Sequence, residues 1–172
     1  MSLLWKSARV QALVVFLIAV GSLAVAVFLE HYANLEPCPL CIMQRVAFAG
    51  SAIFALAAAL SRPRGVFAAF AGLGAAVNLA GLGIALRHIW VGFHPGSGSC
   101  SPYSLGEMAS RFPVGKWLPR VLAGEAECAA AAKWTLLGLN LPEWAAILFV
   151  LGTLVLARAV VARFAQRPKI IY

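Results

Sequence analysis

The sequence predicts an all-α membrane protein built as a bundle of four transmembrane helices, and three observations lead to this fold class. The chain of 172 residues is 62% hydrophobic and only 12% charged, whereas soluble domains carry about 25% charged residues. Its apolar residues form four runs of roughly 20 residues, the length that a helix needs to cross a bilayer. Its basic residues concentrate in the segments that would lie on one side of the membrane, a pattern typical of multi-pass proteins.

The four predicted spans cover approximately residues 10–29, 42–60, 66–86 and 143–162, with loops of about 30–41 and 88–142 on one side. In the first run, Ala24-Val25-Ala26 resembles a signal-peptide cleavage site, but the apolar stretch continues to Leu29 and is too long for a signal peptide core. The last run carries Arg158, so it spans the bilayer only if that side chain reaches the interface, and a shorter interfacial segment is the alternative. We therefore predict a single integral membrane domain over residues 1–172.

Charge placement predicts the orientation of the spans. The two termini and the turn at residues 61–65 carry eight basic residues and no acidic ones: Lys6, Arg9, Arg62, Arg64, Arg158, Arg163, Arg167 and Lys169. All six acidic residues fall on the other side. Because lysine and arginine are in excess on the cytoplasmic side of a membrane, both termini are predicted to be cytoplasmic. The net charge of +8 is thus a topology signal, and no basic patch with interleaved aromatics indicates nucleic-acid binding.

All four cysteines lie on the side opposite the termini. Cys38 and Cys41 form a C-x-x-C pair where the second span begins, and Cys100 and Cys128 lie in the long second loop. In bacteria this side is the periplasm, where disulfides persist. A C-x-x-C pair is typical of either redox chemistry or half of a metal site.

Arg45 follows Cys41 by four residues, which places the two side chains one helical turn apart on the same face. A cation inside an apolar run is costly and therefore indicates a functional site, with a snorkelling anchor as the structural alternative. If Cys41 occupies the first turn of its helix, the helix dipole and Arg45 both favour its thiolate.

Other uses of the cysteines account for fewer of these features. A zinc site could combine them with His88 or His94, but the sequence has no second C-x-x-C and no tight cysteine–histidine pair. Covalent haem requires a histidine directly after the second cysteine, where this chain has Ile42. Two inert disulfides would stabilise the loops by about 3 kcal/mol each, but they leave the neighbouring arginine unexplained. A relay between one disulfide facing soluble thiols and one facing a lipid-soluble electron acceptor uses all of the features.

Taken together, the motifs resemble those of the DsbB family of disulfide bond formation proteins. The resemblance is carried by four spans with both ends inside, Cys38-Pro-Leu-Cys41 followed by Arg45, Cys100 and Cys128 in the second outer loop, and the segment from Trp134 to Trp144 before the last span. It covers almost the whole chain.

The resemblance implies a bacterial inner-membrane enzyme whose active cysteines face the periplasm. Such an enzyme reoxidises a periplasmic DsbA-like thioredoxin-fold protein and passes two electrons to a membrane quinone, ubiquinone or menaquinone, without metal or haem. Cys100 and Cys128 would form the loop disulfide that the partner's thiol attacks, and the quinone would reoxidise Cys38 and Cys41. Cys41 would contact the quinone, and Arg45 would help to hold it. His88 aligns with a histidine associated with the quinone site.

Two other functions stay open at this point. A vitamin K epoxide reductase-like enzyme shares a helical bundle and the C-x-x-C chemistry, but we expect its motif late in the chain, near the last helix. A non-enzymatic membrane adaptor would keep all four cysteines in structural disulfides.

Overall fold

A computed structural model of the chain describes residues 7–32, 37–94 and 135–165. In order, its elements are α1 (Ala8–Tyr32), α2 (Pro39–Leu60), α3 (Arg64–Phe93), β1 (Thr135–Leu136), β2 (Leu139–Asn140) and α4 (Leu141–Ala165). All four helices are long and apolar enough to cross a membrane. The predicted all-α membrane fold with four transmembrane helices is therefore confirmed. The side on which each terminus lies, and the boundaries of a single membrane domain, stay predictions.

The helices form because an apolar segment in lipid must satisfy its backbone hydrogen bonds internally. They extend beyond the spans predicted from hydropathy. The longest, α3, has 30 residues, which corresponds to about 45 Å at 1.5 Å per residue. Since the hydrocarbon core is about 30 Å thick, part of α3 projects beyond it or the helix tilts.

A hairpin and a capping box determine where α4 begins. Thr135 pairs with Asn140 in the antiparallel hairpin of β1 and β2, and the two turn residues, Leu137 and Gly138, have φ of 56° and 84°. Two consecutive positive φ angles are typical of the two-residue turn that matches strand twist. The backbone N–H of Asn140 then donates to Glu143 Oε2 at 2.7 Å, the reciprocal half of a capping box. This bond satisfies one donor that the first turn of α4 leaves free.

The chain divides into two compact units, each of which contains parts of several helices. The first comprises Met1–Ala24, Ala47–Ala80 and Leu148–Tyr172. In its core, the fully buried Phe67 and Leu156 pack among small residues of α1 to α4. Two arginines hold the turn between α2 and α3, since Arg9 donates to the carbonyl of Ser61 and Arg163 to that of Arg62.

The second unit comprises Val25–Val46 and Gly81–Ile147. It contains the end of α1, the start of α2, the end of α3 and the start of α4. All the candidate site residues that the structure describes lie within this unit.

Candidate redox site

The C-x-x-C pair forms the amino-terminal cap of α2. The carbonyl of Cys38 accepts the first helical hydrogen bond, from the N–H of Ile42 at 3.1 Å. Its sulfur accepts a second bond, from the N–H of Cys41 at 3.3 Å, as the side chain of a helix-capping residue does. Pro39 occupies the first helical position, where its missing N–H costs nothing. Cys41 therefore lies in the first turn of α2, where the positive end of the helix dipole favours negative charge.

The two sulfurs are positioned to exchange a proton and to form a disulfide. Both cysteines are free thiols, and Cys38 Sγ donates a hydrogen bond to Cys41 Sγ across 2.9 Å. Cys38 is fully buried, whereas Cys41 is partly exposed. The hydrogen bond to Cys41 and, after it, burial raise the pKa of the Cys38 thiol. Cys38 thus holds its proton, and the sulfur of the partly exposed residue Cys41 accepts the hydrogen bond.

His88 joins this pair from α3. Its Nε2 lies 3.7 Å from Cys38 Sγ, and its Nδ1 lies 3.2 Å from the side-chain amide nitrogen of Gln44. Both His88 and Gln44 are buried. With this amide orientation Gln44 donates to Nδ1, so Nε2 carries the ring proton and points it towards Cys38. Because half a rotation of the amide would exchange its nitrogen and oxygen, Gln44 can support either tautomer.

Arg45 lies one turn beyond Cys41 and is paired with an acidic residue of α1. Its Nη1 donates to Glu30 Oε2, and its Nη2 donates to the carbonyl oxygen of Ala26 at 3.4 Å. The two side chains are 25% and 35% exposed for Arg45 and Glu30, respectively. The pair offsets the cost of a cation in the second turn of an apolar helix. The incomplete burial leaves the guanidinium accessible to a further acceptor.

Apolar side chains enclose the buried thiol. Leu40 and Val91 form a small cluster with Cys38, and Ile84 and Cys41 pack against it. Such surroundings exclude water from the Cys38 sulfur and strengthen the local electrostatic interactions.

The structure brings together four of the six residues predicted for the site: Cys38, Cys41, Arg45 and His88 all lie in the second unit. The other two, Cys100 and Cys128, lie outside the described residues, so the loop disulfide stays a prediction. Gln44 and Glu30 also contact the predicted site residues, and neither was predicted from the sequence. Gln44 could have been noticed because it follows Cys41 by three residues, which puts an amide on the same helix face. For Glu30, the only signal was one acidic residue at the end of an apolar run.

Comparison with known proteins identifies the family. The sequence profile described as "Disulfide bond formation protein DsbB" matches residues 8–159. The chain is 40% identical over 147 residues to disulfide bond formation protein B of Methylococcus capsulatus, covering 84% of this chain and 88% of that protein. It is 36% identical over 162 residues to the protein of the same name from Hahella chejuensis, covering 92% and 97% of the two chains. The vitamin K epoxide reductase-like and adaptor alternatives are thereby set aside. The chain belongs to the DsbB family of disulfide bond formation proteins, membrane oxidoreductases that generate disulfides.

Proposed function

We propose that this protein reoxidises a periplasmic DsbA-like protein and passes the two electrons to a membrane quinone through two cysteine pairs. The observation that carries the proposal is the arrangement of Cys38 and Cys41 at the start of α2, with Arg45 one turn further along. A dithiol, a cation and apolar walls are the groups that an oxidant of the membrane phase would need. Family membership supplies the activity, and these contacts indicate which residues perform it.

The donor set of the site fits a quinone head group. A quinone presents an apolar ring with carbonyl oxygens, and when bound it accepts two electrons and two protons. Arg45 would hold it through the guanidinium and stabilise negative charge, because hydrogen bonds from a cation are stronger than neutral ones. His88 would act from behind Cys38, because its two ring nitrogens face Cys38 and Gln44. The apolar side chains near Cys38 suit the quinone ring.

The two cysteines have different tasks in this scheme. Cys41 is the partly exposed residue of the pair and lies at the positive end of α2, within a turn of Arg45, so it would be the nucleophile that meets the oxidant. Cys38 keeps its proton until Cys41 has reacted, and its sulfur then closes the disulfide 2.9 Å away. Closing this bond removes two electrons and two protons from the pair. His88 Nε2 is positioned to exchange a proton with Cys38 Sγ, and Gln44 holds the imidazole ring in place.

The second cysteine pair would connect this site to the protein partner. In the proposed relay the partner's dithiol reduces the Cys100–Cys128 disulfide by thiol–disulfide exchange. The resulting thiols of Cys100 and Cys128 then reduce the Cys38–Cys41 disulfide in the same way. The partner leaves oxidised. Cys38 and Cys41 would then form their disulfide again by giving up two electrons and two protons, for which a bound quinone would be the acceptor.

We further propose that the protein is a single domain of the inner membrane with both termini in the cytoplasm. The eight basic residues of the termini and the short turn support this orientation. It places all four cysteines on the periplasmic side.

A turnover assay tests the enzyme class and the site together. Purified protein in detergent is mixed with a reduced DsbA-like protein and a soluble quinone analogue, and the loss of quinone absorbance is followed. We expect catalytic reduction that disappears in Cys41→Ser and persists in Ile53→Val, a conservative change at an exposed position of the same helix. Full turnover by Cys41→Ser would refute the mechanism, as would the absence of quinone reduction by the unchanged protein.

A second variant tests the relay itself. Cys100→Ala should lose oxidation of the protein partner, because the partner's thiol then has no disulfide to attack. The same variant should still reduce quinone when a small dithiol reaches Cys41 directly. Normal oxidation of the partner by Cys100→Ala would rule out the relay.

A further inference from the structure

We propose that the reduced Cys38–Cys41 pair and His88 form a zinc-binding site, and that zinc bound there holds the protein in its reduced, inactive state. The two sulfurs and one ring nitrogen of these residues all lie within 4.8 Å of one another. They come from the first residues of α2 and the carboxyl-terminal part of α3. Zinc binding requires only the two thiols and the imidazole, so it does not depend on the proposed function. The inhibition of turnover by zinc does rest on the proposed function.

The distances are close to those of a tetrahedral site. With Zn–S of about 2.3 Å and Zn–N of about 2.05 Å, two tetrahedral ligands are roughly 3.6 Å apart for sulfur and nitrogen, and roughly 3.8 Å apart for two sulfurs. The observed distance from Cys38 Sγ to His88 Nε2 is 3.7 Å. The two sulfurs, 2.9 Å apart, must separate by about 0.9 Å. Rotation of the partly exposed Cys41 side chain can supply this movement while the buried Cys38 and His88 stay in place.

Gln44 supports the site by holding the His88 ring through its side-chain amide. A histidine that binds a metal through one nitrogen usually donates its other N–H to a fixed acceptor. Here Nδ1 already faces the Gln44 amide at 3.2 Å. Rotating that amide by half a turn presents its oxygen to Nδ1–H, and in this tautomer Nε2 carries no proton and can donate its lone pair to the metal. The same contact thus supports the metal-binding tautomer without moving either backbone.

The ligand set selects the metal. Two thiolates and one imidazole suit a borderline-soft ion such as Zn²⁺, whereas Mg²⁺ and Ca²⁺ prefer oxygen ligands. Three protein ligands leave one coordination position open, to be filled by water or by an exogenous anion. The carboxylate of Glu30 is engaged with Arg45.

The site exists in only one redox state. When zinc binds, the thiols of Cys38 and Cys41 each release a proton to solvent, two Zn–S bonds form, and no electrons are transferred. A disulfide has no thiolate to offer, so the oxidised pair cannot bind the ion in this way. Zinc also occupies the Cys41 sulfur that would meet the oxidant. The ion and the electron acceptor therefore compete for the same reduced pair.

The test is a zinc titration of the full-length protein in detergent, carrying Cys100→Ala and Cys128→Ala so that the loop cysteines contribute no ligand. The reduced and the oxidised form are titrated separately against a chromophoric zinc chelator, and Co²⁺ serves as a spectroscopic probe of sulfur ligation. We expect the reduced form to bind one ion per chain, with a thiolate-to-cobalt charge-transfer band. We expect oxidation to lower the affinity by at least about 100-fold, since both thiolates are lost.

Two substitutions locate the ion. His88→Ala should weaken binding at least about tenfold, and Gln44→Leu should weaken it by about 10-fold to 100-fold, the range found when a supporting hydrogen bond is lost. His94→Ala is the matched control, because His94 is an exposed histidine next to the end of the same helix. Equal zinc affinity in the reduced and oxidised forms would overturn the proposal without any further variant. A folded His88→Ala that binds zinc as tightly as its parent would overturn it too.

Inhibition is measured separately on the protein with all four cysteines. Zinc should slow turnover, and a chelator should restore it. If the reduced protein binds zinc but shows no turnover at all, the proposed function fails and the metal site stands. If turnover is normal and the reduced protein binds no zinc, the metal site fails and the proposed function stands.

Discussion

Replacing Arg45 by methionine separates two roles that one side chain could have, namely holding the electron acceptor and neutralising Glu30. The change keeps a long apolar stem and removes the charge. Glu30→Gln is the matched variant, because it breaks the same ion pair from the other side and leaves the guanidinium in place. The double variant completes a cycle that isolates the coupling between the two residues.

The geometry gives the expected magnitudes. Two unit charges about 4 Å apart attract by about 4 kcal/mol at an effective dielectric constant near 20. Both side chains are partly exposed, at 25% and 35%, and fully exposed pairs contribute about 0.2–1 kcal/mol. We therefore expect each single change to lower the free energy of unfolding by about 1–2 kcal/mol, with a coupling energy of about 1 kcal/mol. A hydrogen bond from a cation to the acceptor, in contrast, is worth about 1.5–3 kcal/mol, or roughly a 10-fold to 100-fold change in affinity.

The assay measures the KM for a quinone analogue and the KM for the reduced protein partner in the unchanged protein and in the three variants. Arg45→Met should raise the quinone KM by about tenfold or more and leave the partner KM unchanged. Glu30→Gln should change the quinone KM by less than about threefold, although it should lower the free energy of unfolding about as much as Arg45→Met does. If Glu30→Gln raised the quinone KM as much as Arg45→Met does, the arginine would act only through its ion pair. An unchanged quinone KM in Arg45→Met would make the residue a membrane anchor.

Two further predictions concern packing and orientation. Gly152→Ala should destabilise the protein by about 1–3 kcal/mol, because the added Cβ would lie 2.9 Å from the side-chain nitrogen of the buried Asn78. Gly72→Ala should not destabilise the protein, because nothing lies within 4 Å of the added Cβ. Equal denaturation midpoints for Gly152→Ala and Gly72→Ala would contradict this explanation. In cells expressing a form without native cysteines, a membrane-impermeant maleimide should label Leu137→Cys in intact cells, since Leu137 is 87% exposed. Arg62→Cys should react only after permeabilisation, and the reverse labelling pattern would invert the proposed orientation.

The helical architecture was predictable because few other structures satisfy an apolar backbone in lipid. Composition and run length sufficed for four helices, and the start of the second apolar run at Ile42 sufficed to place Cys41 near the start of α2. The end of α1 was less predictable. Hydropathy ended the first span at Leu29, whereas the helix continues to Tyr32. Hydropathy registers the loss of apolar character, and a helix can continue into the polar interface.

The side-chain contacts of the site could not be predicted from spacing alone. Glu30 and Arg45 are 15 residues apart, and Gln44 and His88 are 44 apart, so both contacts depend on how separate helices pack. The glycines of α3 show the same limit. Gly72 and Gly74 look equivalent in the sequence, yet only Gly74 faces a close neighbour, Leu156, 3.1 Å from where its Cβ would be. Periodicity defines which residues share a face, and tertiary packing determines what that face meets.

The pairing of Glu30 with Arg45 also bears on how the chain enters the membrane during synthesis. An unpaired arginine opposes insertion of a helix by about 2.5–3.5 kcal/mol at the centre of the bilayer, and less towards its ends. Glu30 is translated before Arg45, so its carboxylate is available when the start of α2 leaves the ribosome. The end of α1 and the start of α2 can then enter the translocon as a charge-neutral helical hairpin. Through this ion pair, Glu30 would couple the insertion of the second helix to that of the first, before any thiol chemistry begins.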